Sequence, residues 1–238
     1  MIEVTPLGDS ALIVRIRDGF KDAPEQTVNE VLAAMQRLEA AKIPGIIELT
    51  SAYTTVGVYF DPVRVVDSGA KPDAVIDWLS EKINGALGTS RHFRHHKADK
   101  RLIEIPVCCD SEFAFDLEQV ADHGKLSSSE VIELYCAATY YVGCIGFTPG
   151  FPFFLGLPQK LSIPRRSTPR KEIPPGSVAI GGEQTGIYPL RSPGGWNVIG
   201  RTPLRLFDPQ KSPPALLRTG DRVRFRLIGR DEFESLKQ

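Results

Sequence analysis

Gly146-Phe147-Thr148-Pro149-Gly150-Phe151-Pro152 opens the stretch that decides the fold of the C-terminal part of this chain. It continues through Pro164-Arg165-Arg166-Ser167-Thr168-Pro169-Arg170 and Gly181-Gly182-Glu183-Gln184-Thr185-Gly186-Ile187-Tyr188-Pro189 to Ser192-Pro193-Gly194-Gly195-Trp196. Glycine supplies positive φ, and proline fixes φ while removing a donor, so no continuous helix can form there. The stretch specifies a series of particular turns between short strands, carrying aromatic, Arg, Glu and Gln side chains. Surfaces of that kind are where ligands and partners are bound.

Outward from this block the pattern is strand-rich. Leu102–Val107 and Tyr140–Ile145 read as strands, and Arg222–Ile228 alternates polar and apolar residues after the turn Thr219-Gly220-Asp221. Ser127-Ser128-Ser129-Glu130 is a capping-box pattern that opens a helix through Val131, Ile132, Leu134 and Tyr135. Short strands with frequent turns predict a barrel or sandwich. The N-terminal part reads differently. A strand at Ala11–Ile16 precedes a helix opened by Pro24, with Val28, Val31, Leu32, Met35 and Leu38 on one face, stopped at Pro44-Gly45. Strands at Ile46–Leu49 and Thr55–Phe60 follow, then a helix from Pro72 with Val75, Ile76, Leu79, Ile83 and Leu87 inward. The expected class is α+β: a small N-terminal α/β sandwich of order β-α-β-β-α over residues 1–94, and a β-barrel domain over 95–238. The polar run Gly88–Lys100 marks the boundary.

Lys plus Arg and Asp plus Glu each total 29, so the formal charge is zero, which argues against general binding of nucleic acid or anionic membranes. No basic segment followed by an apolar run stands at the N-terminus, and no window approaches a membrane span, so the expected location is cytoplasmic. Cys108, Cys109, Cys136 and Cys144 lack CxxC spacing and read as reduced thiols. His92, His95 and His96 cluster without a completing acid or thiol, so the segment reads as a basic linker and no metal site is expected. The Gly181–Gly186 run matches neither GxxxxGK[ST] nor GxGxxG, and a tight turn between strands is at least as good a reading as an anion cradle. Arg165, Arg166 and Arg170, splayed by Pro164 and Pro169, suit a carboxylate or phosphate, or a solvated loop. Phe147, Phe151 and Trp196 belong to an aromatic set that can line a pocket, meet a partner or fill the core. With His123 the one His beyond the linker, no Ser-His-Asp set assembles, and the block looks like half a site.

These motifs resemble the KipI family, which includes the B-type subunit of 5-oxoprolinase and was formerly labelled allophanate hydrolase subunit 1. The match begins at Gly8-Asp9-Ser10-Ala11-Leu12 and continues at Pro44-Gly45-Ile46, Phe60-Asp61-Pro62, Ile105-Pro106-Val107 and Asp116-Leu117-Glu118-Gln119-Val120-Ala121. It is densest from Gly146 to Gly200-Arg201-Thr202-Pro203. Ala114-Phe115-Asp116 stands where the family often has Gly-Pro-Asp, Tyr135 where it often has His, and Phe153-Phe154-Leu155-Gly156 departs from its aromatic-Leu-x-Gly. The resemblance implies that the barrel is cyclophilin-like. It implies a component, inactive alone, of a 5-oxoprolinase hydrolase that converts 5-oxoproline to glutamate with ATP and magnesium, alongside A-type and C-type subunits. On that reading Arg170 holds an anion, Gln184 orients the amide, Glu183 moves a proton, and Tyr188 borders the same shared pocket. The alternative is an inhibitor of a sensor histidine kinase, with Phe147, Phe151 and Trp196 as the docking face.

Overall fold

The computed structural model describes residues 2–20, 22–88 and 101–237. The chain divides into two compact units, Met1–Asp99 and Lys100–Gln238. The expected boundary at 94/95 and the histidine cluster lie outside the described residues.

The first unit runs β1 (Glu3–Pro6), β2 (Ala11–Arg15), α1 (Pro24–Ala41), β3 (Ile46–Ala52), β4 (Thr55–Phe60), α2 (Pro62–Asp67) and α3 (Val75–Leu87). Its antiparallel sheet has the order β1-β2-β4-β3. Pro24 sits in the first turn of α1, where a missing N–H costs nothing, and the helix buries Val28, Val31, Ala34 and Leu38 against the sheet and α3. Lys42, in the left-handed region at φ 45°, ends it. The expected β-α-β-β-α order lacked two elements. β1 is short and mostly exposed, so it carries almost no burial pattern to read. α2 is a six-residue helix started by Asp61, whose carboxylate accepts the N–H groups of Val63 and Arg64, with Pro62 in its first turn. What looked like a strand end is therefore also a helix cap. α3 begins at Val75, three residues after Pro72, and buries Leu79, Ile83 and Leu87.

The second unit runs β5 (Leu102–Val107), α4 (Leu117–Gly124), α5 (Ser128–Ala137), β6 (Tyr140–Ile145), β7 (Pro152–Leu155), a 3-10 turn Gln159–Leu161, β8 (Arg170–Ile173), β9 (Ser177–Gly181), β10 (Gln184–Ile187), β11 (Ser192–Gly194), β12 (Asn197–Arg201), β13 (Arg222–Leu227) and α6 (Arg230–Leu236). Seven strands form one sheet in the order β12-β9-β10-β7-β6-β13-β5. Its two edges meet at Cys108 and Arg201, whose N–H and C=O groups bond reciprocally at 2.8 and 2.9 Å. The sheet is thus a nearly closed barrel, and closure removes exposed strand edges. Ile105, Tyr140, Val142, Phe154, Val178, Ile180, Ile187 and Phe225 fill the interior. A separate ribbon of β8 and β11 lies outside the barrel sheet. Among the described residues no helix is long and apolar enough to cross a membrane.

An aromatic cavity beside a buried carboxylate

The loop between β6 and β7 is fixed by its own backbone. Gly146 N–H donates to Phe151 O at 3.0 Å and Phe151 N–H to Thr148 O at 3.0 Å. Gly150 holds φ 78°, where a Cβ would meet Phe207 at 2.7 Å. This turn leaves Phe147 at φ 70° with 73% of its surface exposed. A bulky residue at positive φ is costly, and such strain concentrates at functional positions. Its ring meets Phe151 edge-on, with centroids 5.8 Å apart.

Behind Phe147 lies a cavity of about 220 Å³, lined by Phe151, Phe153, Tyr188, Trp196, Arg165 and Arg166, with Pro169 and the Pro193–Gly195 corner. Phe151, Tyr188 and Trp196 are buried and pack edge-to-face as its floor. Gly181 and Gly194 permit this packing: a Cβ on Gly181 would stand 2.5 Å from the Trp196 ring, and one on Gly194 would overlap the Tyr188 hydroxyl. Burial raises the Tyr188 phenol, while the Trp196 backbone N–H and the Arg165 charge pull the other way.

The three arginines do not act alike. Asp116, 3% exposed, accepts Arg166 Nη1 at 2.6 Å and both Arg170 Nη groups at 2.7 and 2.9 Å; Val198 N–H donates to it at 2.8 Å. Arg166 and Arg170 are therefore bound to a buried carboxylate. Arg166 N–H also donates to Gly195 O at 2.7 Å, pinning the arginine loop to the corner before β12. Arg165 is exposed, stacks over the Trp196 ring at 5.7 Å, and has no carboxylate partner among the described residues. Two of the three guanidiniums thus share one carboxylate, and the third, Arg165, leaves a positive charge at the cavity mouth.

Glu183 and Gln184 are elsewhere. Gly181-Gly182-Glu183-Gln184 is a two-residue hairpin turn joining β9 to β10, with Gly182 at φ 66°. That places them at the end of β10 opposite Tyr188, about 13 Å along an extended strand of four residues. Of Arg170, Glu183, Gln184 and Tyr188, expected to border one pocket shared with a C-type subunit, only Tyr188 lines this chain's own cavity. Of the three aromatics expected to meet a partner, Phe151 and Trp196 are buried and Phe147 is exposed. Nothing in the local sequence gives Asp116 a role, although it is the one residue of Ala114-Phe115-Asp116 shared with the family's Gly-Pro-Asp. Tyr135 lies in the barrel core, donating to Thr185 Oγ1 at 2.7 Å, since the threonine hydroxyl itself donates to Ala179 O at 2.9 Å. Burial holds this phenol well above its ordinary range, so it stays neutral near pH ~7. Among the described residues no group of three or more His, Cys, Asp or Glu is placed to hold a metal ion.

The chain belongs to a known class. Residues 2–217 match the family of the carboxyltransferase domain, subdomain C and D, and the chain belongs to it. Within it, the B-type subunit of 5-oxoprolinase from Bacillus subtilis is 39% identical over 237 residues, covering 99% of this chain and 97% of that protein. The family is therefore that of the 5-oxoprolinase B-type subunits. The crystal structure of PH0987 from Pyrococcus horikoshii is 35% identical with a TM-score of 0.55, covering 97% of this chain and 100% of that one. TTHA0988 is 33% identical with a TM-score of 0.71; the match covers 96% of this chain and 40% of that longer one.

Proposed function

We propose that this chain is one subunit of an ATP-dependent 5-oxoprolinase, hydrolysing 5-oxoproline to glutamate together with C-type and A-type subunits. The observation that carries this reading is Arg165, an exposed guanidinium stacked on Trp196 at the mouth of a cavity of about 220 Å³. 5-Oxoproline is a carboxylate on a small, mostly apolar lactam ring. Its carboxylate suits the uncompensated fork of Arg165, and its ring suits the Phe151, Phe153 and Trp196 walls. The name of the Bacillus subtilis relative supports the same substrate.

This chain's own contribution is binding and orientation. Tyr188 remains a neutral phenol, able to hold a hydrogen bond but not to act as a base near neutral pH. Glu183 and Gln184 stand at the far end of β10, so proton transfer at the lactam falls to groups brought by a partner subunit. A lactam is an unreactive amide, and ATP supplies the phosphoryl group that activates its oxygen. ATP and its magnesium are bound by the complex. The Gly181–Gly186 turn is a hairpin and does not fit a phosphate loop, and no metal cluster stands among the described residues. Phe147, held outward in a strained conformation, is the contact for the C-type subunit. The chain alone is inactive on this account. The test is 5-oxoproline-dependent ATP hydrolysis by the purified chain with candidate A-type and C-type subunits. Turnover in the complete set is expected. Background hydrolysis in that set, with the chain instead binding a sensor kinase, overturns the reading.

A further inference from the structure

The barrel unit has a second cavity, which shares no lining residue with the first. Its volume is about 350 Å³, and Arg191, Arg201, Arg205 and Lys237 line it with apolar residues such as Leu204 and Phe207. No carboxylate lines it. Three of the cations have acidic partners outside the lining: Arg191 with Glu172, Arg205 with Asp208 at 3.3 Å, and Lys237 with Glu234 at 3.4 Å. Arg201 makes no salt bridge among the described residues; the acid acting on it, Glu234, already pairs with Lys237. Its Nε donates to Pro175 O at 2.8 Å and its guanidinium lies 5.8 Å from the Phe113 ring, so both Nη groups are left to meet a ligand.

Arg201 is also rigidly placed. It ends β12, and its backbone forms both hydrogen bonds of the barrel seam with Cys108. Burial, and then the charge of Arg191, push its guanidinium below the usual range, against a smaller opposing pull from Glu234. The cavity therefore holds one positive charge more than its surroundings offset, on a fork fixed at two points.

We propose that this cavity binds the phosphate group of a small molecule. A carboxylate has two oxygens and satisfies one fork. A phosphate group presents three, enough to meet Arg201 and the rim guanidiniums of Arg191 and Arg205 together, and its second charge offsets the excess. The site does not depend on the 5-oxoprolinase activity.

The test is calorimetric titration of the full chain with inorganic phosphate, and separately with acetate, at matched ionic strength. Saturable phosphate binding is expected, with acetate at least tenfold weaker. Arg201→Gln is expected to weaken phosphate about tenfold or more, while Arg165→Ala in the other cavity leaves it unchanged. Absence of saturable binding, equal affinity for acetate, or unchanged affinity in Arg201→Gln overturns the proposal. So does loss of binding in Arg165→Ala, which would place the anion in the first cavity. If Arg201→Gln fails to fold, Arg191→Gln at the exposed rim decides: a several-fold loss supports the site, and unchanged affinity overturns it.

Discussion

Asp116 organises the first cavity although it does not line it. Its carboxylate takes two guanidiniums and one backbone N–H, all within 2.9 Å. Removing one partner of a buried charged network leaves the others uncompensated, so Asp116→Ala is expected to cost about 3 kcal/mol, read as a lower urea midpoint. Phe147 makes the opposite trade. At φ 70° its backbone is strained, and glycine accepts that conformation freely. Phe147→Gly is expected to leave the isolated chain as stable or more stable, by up to about 1 kcal/mol, while weakening its association with the C-type subunit. Thermal unfolding and a binding titration separate the two effects. The sequence made Arg165, Arg166 and Arg170 look equivalent. They differ because one acid far away in the chain captures two of them, and no local pattern encodes that capture.

Local chemistry at the elements was easier to read. Leu102–Val107 and Tyr140–Ile145 are strands at the expected bounds, because each is a short, mostly apolar run rich in β-branched or aromatic residues. The capping box of α5 is present in full: Ser127 Oγ accepts Glu130 N–H at 3.2 Å, and Glu130 Oε2 accepts Ser127 N–H at 2.7 Å. Ser127→Ala is expected to cost about 1 kcal/mol, measured as a shift in the unfolding midpoint, with no effect on ligand binding at either cavity. Short elements escaped. β1, α2 and α6 span four, six and seven residues, too few for a period to emerge. The Gly181–Gly186 run was ambiguous between a cradle and a turn until its register showed β9 pairing directly with β10. That register also separates Glu183 and Gln184 from Tyr188, because proximity in sequence along a strand is distance in space.

At the scale of the molecule, each unit carries its own core. In the barrel unit the first and last strands, β5 and β13, lie side by side in parallel, with Ile105 opposite Phe225. Alternation in Arg222–Leu227 identifies a strand and its inward face, but says nothing of which strand it pairs with. The barrel core buries two phenols, Tyr135 and Tyr140, both raised well above their ordinary range, chiefly by desolvation. The folded chain thus keeps protons that the unfolded chain releases near pH ~10. Their contribution to stability is complete below that pH and is lost as pH rises above it toward the folded-state values. The urea midpoint is expected to fall between about pH 9 and 11, and to fall less in a Tyr135→Phe, Tyr140→Phe variant; equal slopes would show that other groups govern alkaline unfolding.

On the proposed function, this chain supplies the carboxylate-binding part of a shared 5-oxoproline site. The most direct measurement is the 5-oxoproline dependence of ATP hydrolysis by the three-subunit set, reconstituted with the wild-type chain or with Arg165→Ala. A charge-assisted hydrogen bond is worth about 1.5–3 kcal/mol, so KM is expected to rise by about tenfold or more, with kcat little changed. Activity that persists without this chain, or a KM unaffected by Arg165→Ala, would contradict it.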